Sequence, residues 1–214
     1  MIQVNDVTKT FKAQTVLEHI TVNFEAGKIH GLVGKNGSGK TVFLRLLCGL
    51  MAPSSGTVTV AGKVLGKDVD FAPDTGIIIE TPSFLTYKSG YGNLKDLASI
   101  RNLISKDEII SAMELVGLDP TSKKRVGKYS LGMRQRLGIA QAIMEHPKLL
   151  ILDEPMNGLD AQGVEDIRRL LLKLRTDGTT IILASHDTED IEALCDTVSR
   201  IQEKALIKIN VCGV

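Results

Sequence analysis

Gly34-Lys35-Asn36-Gly37-Ser38-Gly39-Lys40-Thr41 has two glycines five positions apart followed by Lys-Thr, the spacing of a P-loop. Ile29 to Val33, just before it, are mostly apolar and predict a short buried strand. Val42-Phe43-Leu44-Arg45-Leu46-Leu47-Cys48, just after it, predict a buried helix ending near Gly49. Strand, glycine loop and helix form the context that the motif requires. The glycines let the backbone turn so that successive N–H groups face an anion. The helix N-terminus adds its partial positive charge at the same place. Gly34, Asn36, Gly37, Ser38, Gly39, Lys40, Thr41 and Val42 are therefore the candidate nucleotide-binding set. Lys40 would reach the β- and γ-phosphates, and the Thr41 hydroxyl would ligate Mg²⁺. The alternative is a glycine turn that binds nothing.

The chain around this loop has 214 residues, enough to bury one large core with a subdomain. Its 26 basic and 25 acidic residues nearly cancel, so charge gives no reason to expect nucleic acid or an anionic membrane as partner. Aromatics make up 4% and Trp is absent, which speaks against a stacking platform for single strands. Cys48, Cys195 and Cys212 are far apart and odd in number, against a disulfide framework. Cys48 and Cys195 lie in apolar segments and read as buried thiols, and no Cys/His cluster has zinc spacing. The N-terminus lacks the basic start and apolar run of a signal peptide. No apolar run approaches the roughly 18 residues that span a bilayer. A soluble, cytosolic protein is the expectation.

Working outward, residues 2–24 alternate loosely, as two strands joined by a polar connection, Thr8 to Gln14, which carries the lone aromatic Phe11. That Phe either packs locally or stacks on a base. Thr57-Val58-Thr59-Val60-Ala61-Gly62 alternates as an antiparallel strand with one wet face. Gly76-Ile77-Ile78-Ile79 predicts a buried strand ending at Glu80. Beyond Thr81 the pattern changes. Pro82, Gly90 and Gly92 interrupt a loop bearing Phe84, Leu85, Tyr87 and Tyr91, and Ser105 to Glu108 has capping-box spacing ahead of a helical stripe. The reading is an α/β core (1–80 and 137–214) with a small antiparallel β subdomain and a mostly helical insertion, 81–136. Leu149-Leu150-Ile151-Leu152 then predicts a parallel strand covered on both faces, ending at Asp153-Glu154. A helix with Val164, Ile167, Leu170, Leu171 and Leu174 inward stops near Gly178. Thr179 to Ala184 predicts another strand, ending at Ser185-His186.

Ligands of a parallel α/β sheet sit at the carboxyl ends of its strands. If these strands are parallel, the P-loop, Glu80, Asp153-Glu154 and His186 converge on one edge. Asp153 then falls where it would hold Mg²⁺ through water, and Glu154 where it would take or orient the proton of an attacking water. Two acids at a strand end are also a common helix-capping arrangement. His30 and His146 read as structural.

The chain resembles the ATP-binding subunit of an ABC transporter, with a P-loop NTPase core. Tyr129-Ser130-Leu131-Gly132-Met133-Arg134-Gln135-Arg136 is similar to the family signature, Asn157-Gly158-Leu159-Asp160 to the D-loop, His186 to the switch histidine and Phe11 to the adenine-stacking aromatic. The resemblance implies ATP hydrolysis with Glu154, His186 and Lys40 as catalytic groups and Thr41, Glu80 and Asp153 around Mg²⁺. It also implies a head-to-tail homodimer, with Ser130, Gly132 and Met133 of one copy meeting the ATP held by the other. A transmembrane permease would dock on 81–136 and hold the subunit at the inner face of the cell membrane. Leu131 and Met133 depart from the usual Gly and Gln of the signature. Glu80 stands where the family usually has Gln, and that pairing resembles the branch with bacitracin and lantibiotic self-protection exporters. A soluble ABC ATPase acting on ribosomes or DNA is the alternative function.

Overall fold

The computed structural model describes residues 1–80 and 82–210, so Cys212 and Thr81 lie outside the described residues. The first residues form a hairpin of β1 (Ile2–Phe11) and β2 (Gln14–Phe24), followed by β3 (Ile29–Val33) and helix α1 (Lys40–Cys48). Strands β4 (Ser55–Val60) and β5 (Lys63–Val64) complete an antiparallel sheet in the order β2-β1-β4-β5. After β6 (Thr75–Ile78) come helices α2 (Gly90–Arg101), α3 (Lys106–Leu115) and α4 (Leu131–Ile143). The chain continues through β7 (Leu149–Asp153), α5 (Ala161–Thr176), β8 (Thr180–Ala184) and α6 (Thr188–Leu194), then β9 (Thr197–Gln202) and β10 (Ala205–Ile209).

The second sheet has the order β10-β9-β3-β8-β7-β6, parallel throughout except for the edge strand β10. Period-two alternation sends its apolar side chains to two separate cores. Leu149 and Ile151 of β7 and Ile182 and Ala184 of β8 join Phe43 and Leu47 of α1 and the inner face of the antiparallel sheet. Leu150, Leu152, Ile181 and Leu183 point the other way, into a core with Leu137 of α4, Ile167 of α5 and Ile191 of α6. Each of these buried Leu, Ile and Phe side chains contributes roughly 1.5–3 kcal/mol. The central strands β3, β7 and β8 therefore have no wet face, which is why their sequences show no polar alternation.

Two local expectations change. The Thr8–Gln14 connection is strand on both sides of a Lys12-Ala13 turn, because Thr10 pairs with Thr15 and Phe11 with Gln14. Phe11 is thus the last residue of β1 rather than a loop residue. Gly90 and Gly92 lie in the first turn of α2 instead of breaking a loop. The Ser89 Oγ caps that turn by accepting from the Gly92 N–H at 3.1 Å, and the buried Asn93 side chain ties back to Leu85 and to the Ser89 carbonyl. Gly90 is needed for closeness, since a Cβ there would meet the Tyr129 Oη at 2.7 Å. Helix α4 spans position 136 without a break. The capping box at Ser105 and Glu108 is present as expected. No helix among the described residues is long and apolar enough to cross a membrane.

Candidate nucleotide site

The phosphate loop leaves β3 at Gly34 and enters α1 at Lys40. Gly37 and Gly39 have φ of 78° and 107°, where a side chain would strain the backbone. Gly39 also presses on β2, its missing Cβ lying 3.1 Å from Leu17 and Val16 side-chain carbons. Gly39 provides no side-chain cap for α1, so the helix's first N–H groups stay free to meet an anion. The Lys40 side chain folds back into the loop, its Nζ donating to the Gly34 carbonyl at 2.6 Å. Ser38 Oγ is buried and has no hydrogen-bond partner among the described residues.

At the adjacent strand ends, Thr41 Oγ1 donates to Asp153 Oδ2 at 2.8 Å. Burial pushes the Asp153 carboxyl above its ordinary value, against the Thr41 hydrogen bond, while Glu154 adds to the upward push. A hydroxyl beside a carboxylate that burial disfavours as an anion is a hard-oxygen setting that welcomes a cation, so these residues fit Mg²⁺. Glu154 has a left-handed φ of 50° and is held by backbone hydrogen bonds to Ala184 and Asn157. Its Oε2 lies 2.8 Å from His186 Nδ1 and 3.4 Å from the His186 backbone N. Lys40, Thr41, Glu80, Asp153 and Glu154 line one cleft of about 760 Å³, and His186 lines a neighbouring one of about 790 Å³. Lys35, Asn36 and Gly37 form the wall shared by both. His30, by contrast, is buried and hydrogen-bonded to Thr197 and to the Glu25 carbonyl, as a structural histidine.

The signature residues lie elsewhere. Ser130 is the N-cap of α4, its Oγ accepting from the Met133 N–H at 3.1 Å. Ser130, Gly132 and Met133 line a separate cavity of about 620 Å³ with Asp160, whose carboxylate caps α5 through the Gly163 N–H. Gly132 packs so closely on the chain's own D-loop that a Cβ would stand 2.7 Å from the Gly158 carbonyl. Leu131 and Gln135 of the signature and Asn157 of the D-loop also border the phosphate cleft, whereas Ser130, Gly132, Met133 and Asp160 do not. Phe11 lines neither cleft. It is 41% exposed with the Lys9 Nζ 5.0 Å above its ring, and Val16 of β2 borders the cleft instead.

Residues 17–157 match a family model described as ABC transporter. The chain belongs to this family. It is an ATP-binding, ATP-hydrolysing transporter subunit. This ABC subunit is 46% identical over 196 residues to the uncharacterized ABC transporter ATP-binding protein YybJ of Bacillus subtilis, covering 92% of the chain and 90% of the relative. It is 42% identical over 210 residues to the bacitracin transport ATP-binding protein BcrA of Enterococcus faecalis, covering 97% of the chain and 68% of the relative. A solved structure, the ATP-binding cassette MJ0796 in a dimeric post-hydrolysis state bound to ADP and Pi, superposes over 100% of both chains with a TM-score of 0.88 at 21% identity. At that identity the likeness concerns the fold, a parallel sheet with an added antiparallel sheet and helices.

Two supporting contacts of the ABC subunit have no counterpart among the sequence expectations. Gln135, 7% exposed, reaches from α4 to the Pro155 carbonyl at 3.0 Å and so ties the signature helix to the segment after Glu154. Arg45 donates to Glu80 at 2.7 Å. Arg45 lies one helical turn beyond Thr41, and that spacing, which puts both on one face of α1, is the signal the sequence does carry.

Proposed function

We propose that this ABC subunit acts as a head-to-tail pair of identical copies, each P-loop holding ATP with Mg²⁺ against the partner's Ser130 and Gly132. Closure of the pair is passed through residues 81–136 to a separate membrane permease that exports a peptide or antibiotic-like compound. The observation that carries this reading is the separation of the signature from its own P-loop. A capped helix N-terminus with a free N–H group at Gly132 is an anion site, yet Ser130, Gly132 and Met133 open into a cavity that holds none of the chain's own phosphate-loop residues. A second copy supplies the missing phosphate.

Within each site Thr41 and Asp153 would hold the metal, which supplies charge neutralisation of the phosphates when bound. Glu154 takes or orients the proton of the attacking water as its oxygen bonds to the γ-phosphorus and the bond to the bridging oxygen breaks, releasing ADP and phosphate. His186 fixes the Glu154 carboxylate through the 2.8 Å contact. Phe11 would stack on the adenine. Export of an antibiotic-like compound is supported by the bacitracin relative, and the permease would place the subunit on the inner face of the cell membrane.

A mixing experiment tests the pairing. Lys40→Ala and Ser130→Glu copies are each inactive alone. A mixture forms pairs in which one site joins an intact P-loop to an intact signature, so ATP turnover reappears on mixing. A mixture as inactive as its components, under conditions where the unmodified chain turns over, refutes the composite site.

A further inference from the structure

We propose that Arg45 is a positioning residue of the ATP site, which pins the Glu80 carboxylate at the rim of the cleft and keeps it from swinging toward the phosphates. The inference rests on the phosphate site above. Glu80 brings a full negative charge to a cleft that already holds Asp153 and Glu154, at a position where the resemblance leads one to expect a neutral amide. Its charge is felt at Asp153, adding to the upward push on that carboxyl. ATP adds more negative charge, so a free carboxylate here opposes the ligand.

The structure shows how the chain accommodates it. Glu80 lies just past β6 in a left-handed conformation, φ 63°, which turns it toward α1. Its Oε1 accepts from Arg45 Nη2 at 2.7 Å. Arg45 is anchored in the last turn of α1, where its charge also suits the helix C-terminus. The Arg45 side chain is 34% exposed and that of Glu80 61%, so the pair is held by geometry at a wet rim rather than by deep burial. Arg45 and Thr41 share one face of α1, so the helix that carries the metal-facing hydroxyl also carries the clamp on Glu80.

The test is a double-mutant cycle read as ATP affinity without Mg²⁺, so that metal attraction to a freed carboxylate cannot hide the repulsion. Arg45→Met is expected to weaken metal-free ATP binding about fivefold more when residue 80 is Glu than when it is Gln, the size of an exposed ion-pair coupling. Arg45→Lys keeps the charge and should recover most of the loss. Equal losses in the Glu80 and Glu80→Gln backgrounds would mean that Arg45 contributes only its own charge or packing, and would overturn the proposal. No loss in either background would overturn it as well. If Arg45→Met fails to fold, the cycle is run with Arg45→Gln, and equal or absent losses again overturn the proposal. Failure of the unmodified chain to bind ATP would instead refute the phosphate site itself.

Discussion

Replacing Glu154 by Gln removes the charge and the proton-accepting oxygen while leaving every backbone anchor in place. The Glu154 N–H still donates to the Ala184 carbonyl at 2.9 Å, and its carbonyl still accepts from Asn157 at 3.2 Å. The Gln amide fills the same volume and can accept from or donate to His186. The ionic part of that contact is small, because the His186 side chain is 65% exposed, and such pairs contribute at most about 1 kcal/mol. Stability should therefore change by less than about 1 kcal/mol. Loss of a general base costs about 10²- to 10⁴-fold in rate, or roughly 3–5 kcal/mol of barrier. Phosphate release at saturating ATP should fall by that factor, with ATP affinity and the thermal midpoint nearly unchanged. Sedimentation should show pairs accumulating with ATP, since closure no longer ends in cleavage. Turnover within about threefold of the unmodified chain would remove Glu154 as the base and with it the roles given to its neighbours.

Lys40→Ala removes the cation whose Nζ lies 2.6 Å from the Gly34 carbonyl. Fluorescent-nucleotide titration should show ATP affinity down about 10- to 100-fold, the range of one charge-assisted contact, and retained tight binding would contradict its phosphate role. Gly76→Ala tests the fold rather than the chemistry. A Cβ there would lie 1.9 Å from the Ala142 carbonyl, so α4 and β6 must separate, and urea denaturation should register a loss of about 2–3 kcal/mol. A loss under about 0.5 kcal/mol, the range of an ordinary surface substitution, would show that α4 does not rest on β6.

Much of the site is legible in the sequence for a simple geometric reason. Each apolar run without alternation ends on a polar residue, and parallel strands bring their carboxyl ends to one edge, so Lys40, Asp153, Glu154 and His186 can be placed together without knowledge of any contact. The parallel order of β3, β8, β7 and β6 bears this out. Features carried by side chains from distant positions are harder to read. Arg45 and Glu80 are 35 residues apart, and nothing in either segment announces the other. The hairpin extends to Phe11 because cross-strand pairing overrides a polar composition, and Gly90 and Gly92 enter a helix because Ser89 and Asn93 organise the turn before it. In both places tertiary partners outweigh local preference. Phe11 ends β1 and does not line either cleft.

The unbroken course of α4 has a mechanical consequence. Its 13 residues make a stiff rod about 20 Å long. Near one end, Ala142 bears on the bare backbone of Gly76 in β6, and at the other end sits Ser130. Two backbones in direct contact make a fulcrum without a cushion of side chains. A tilt of only about 5° about that point would sweep Ser130 through about 1.6 Å, more than half a hydrogen-bond length. A shift of β6, the strand that leads to Glu80, would thus reach α4, and the helix that begins at the signature, directly through that backbone contact.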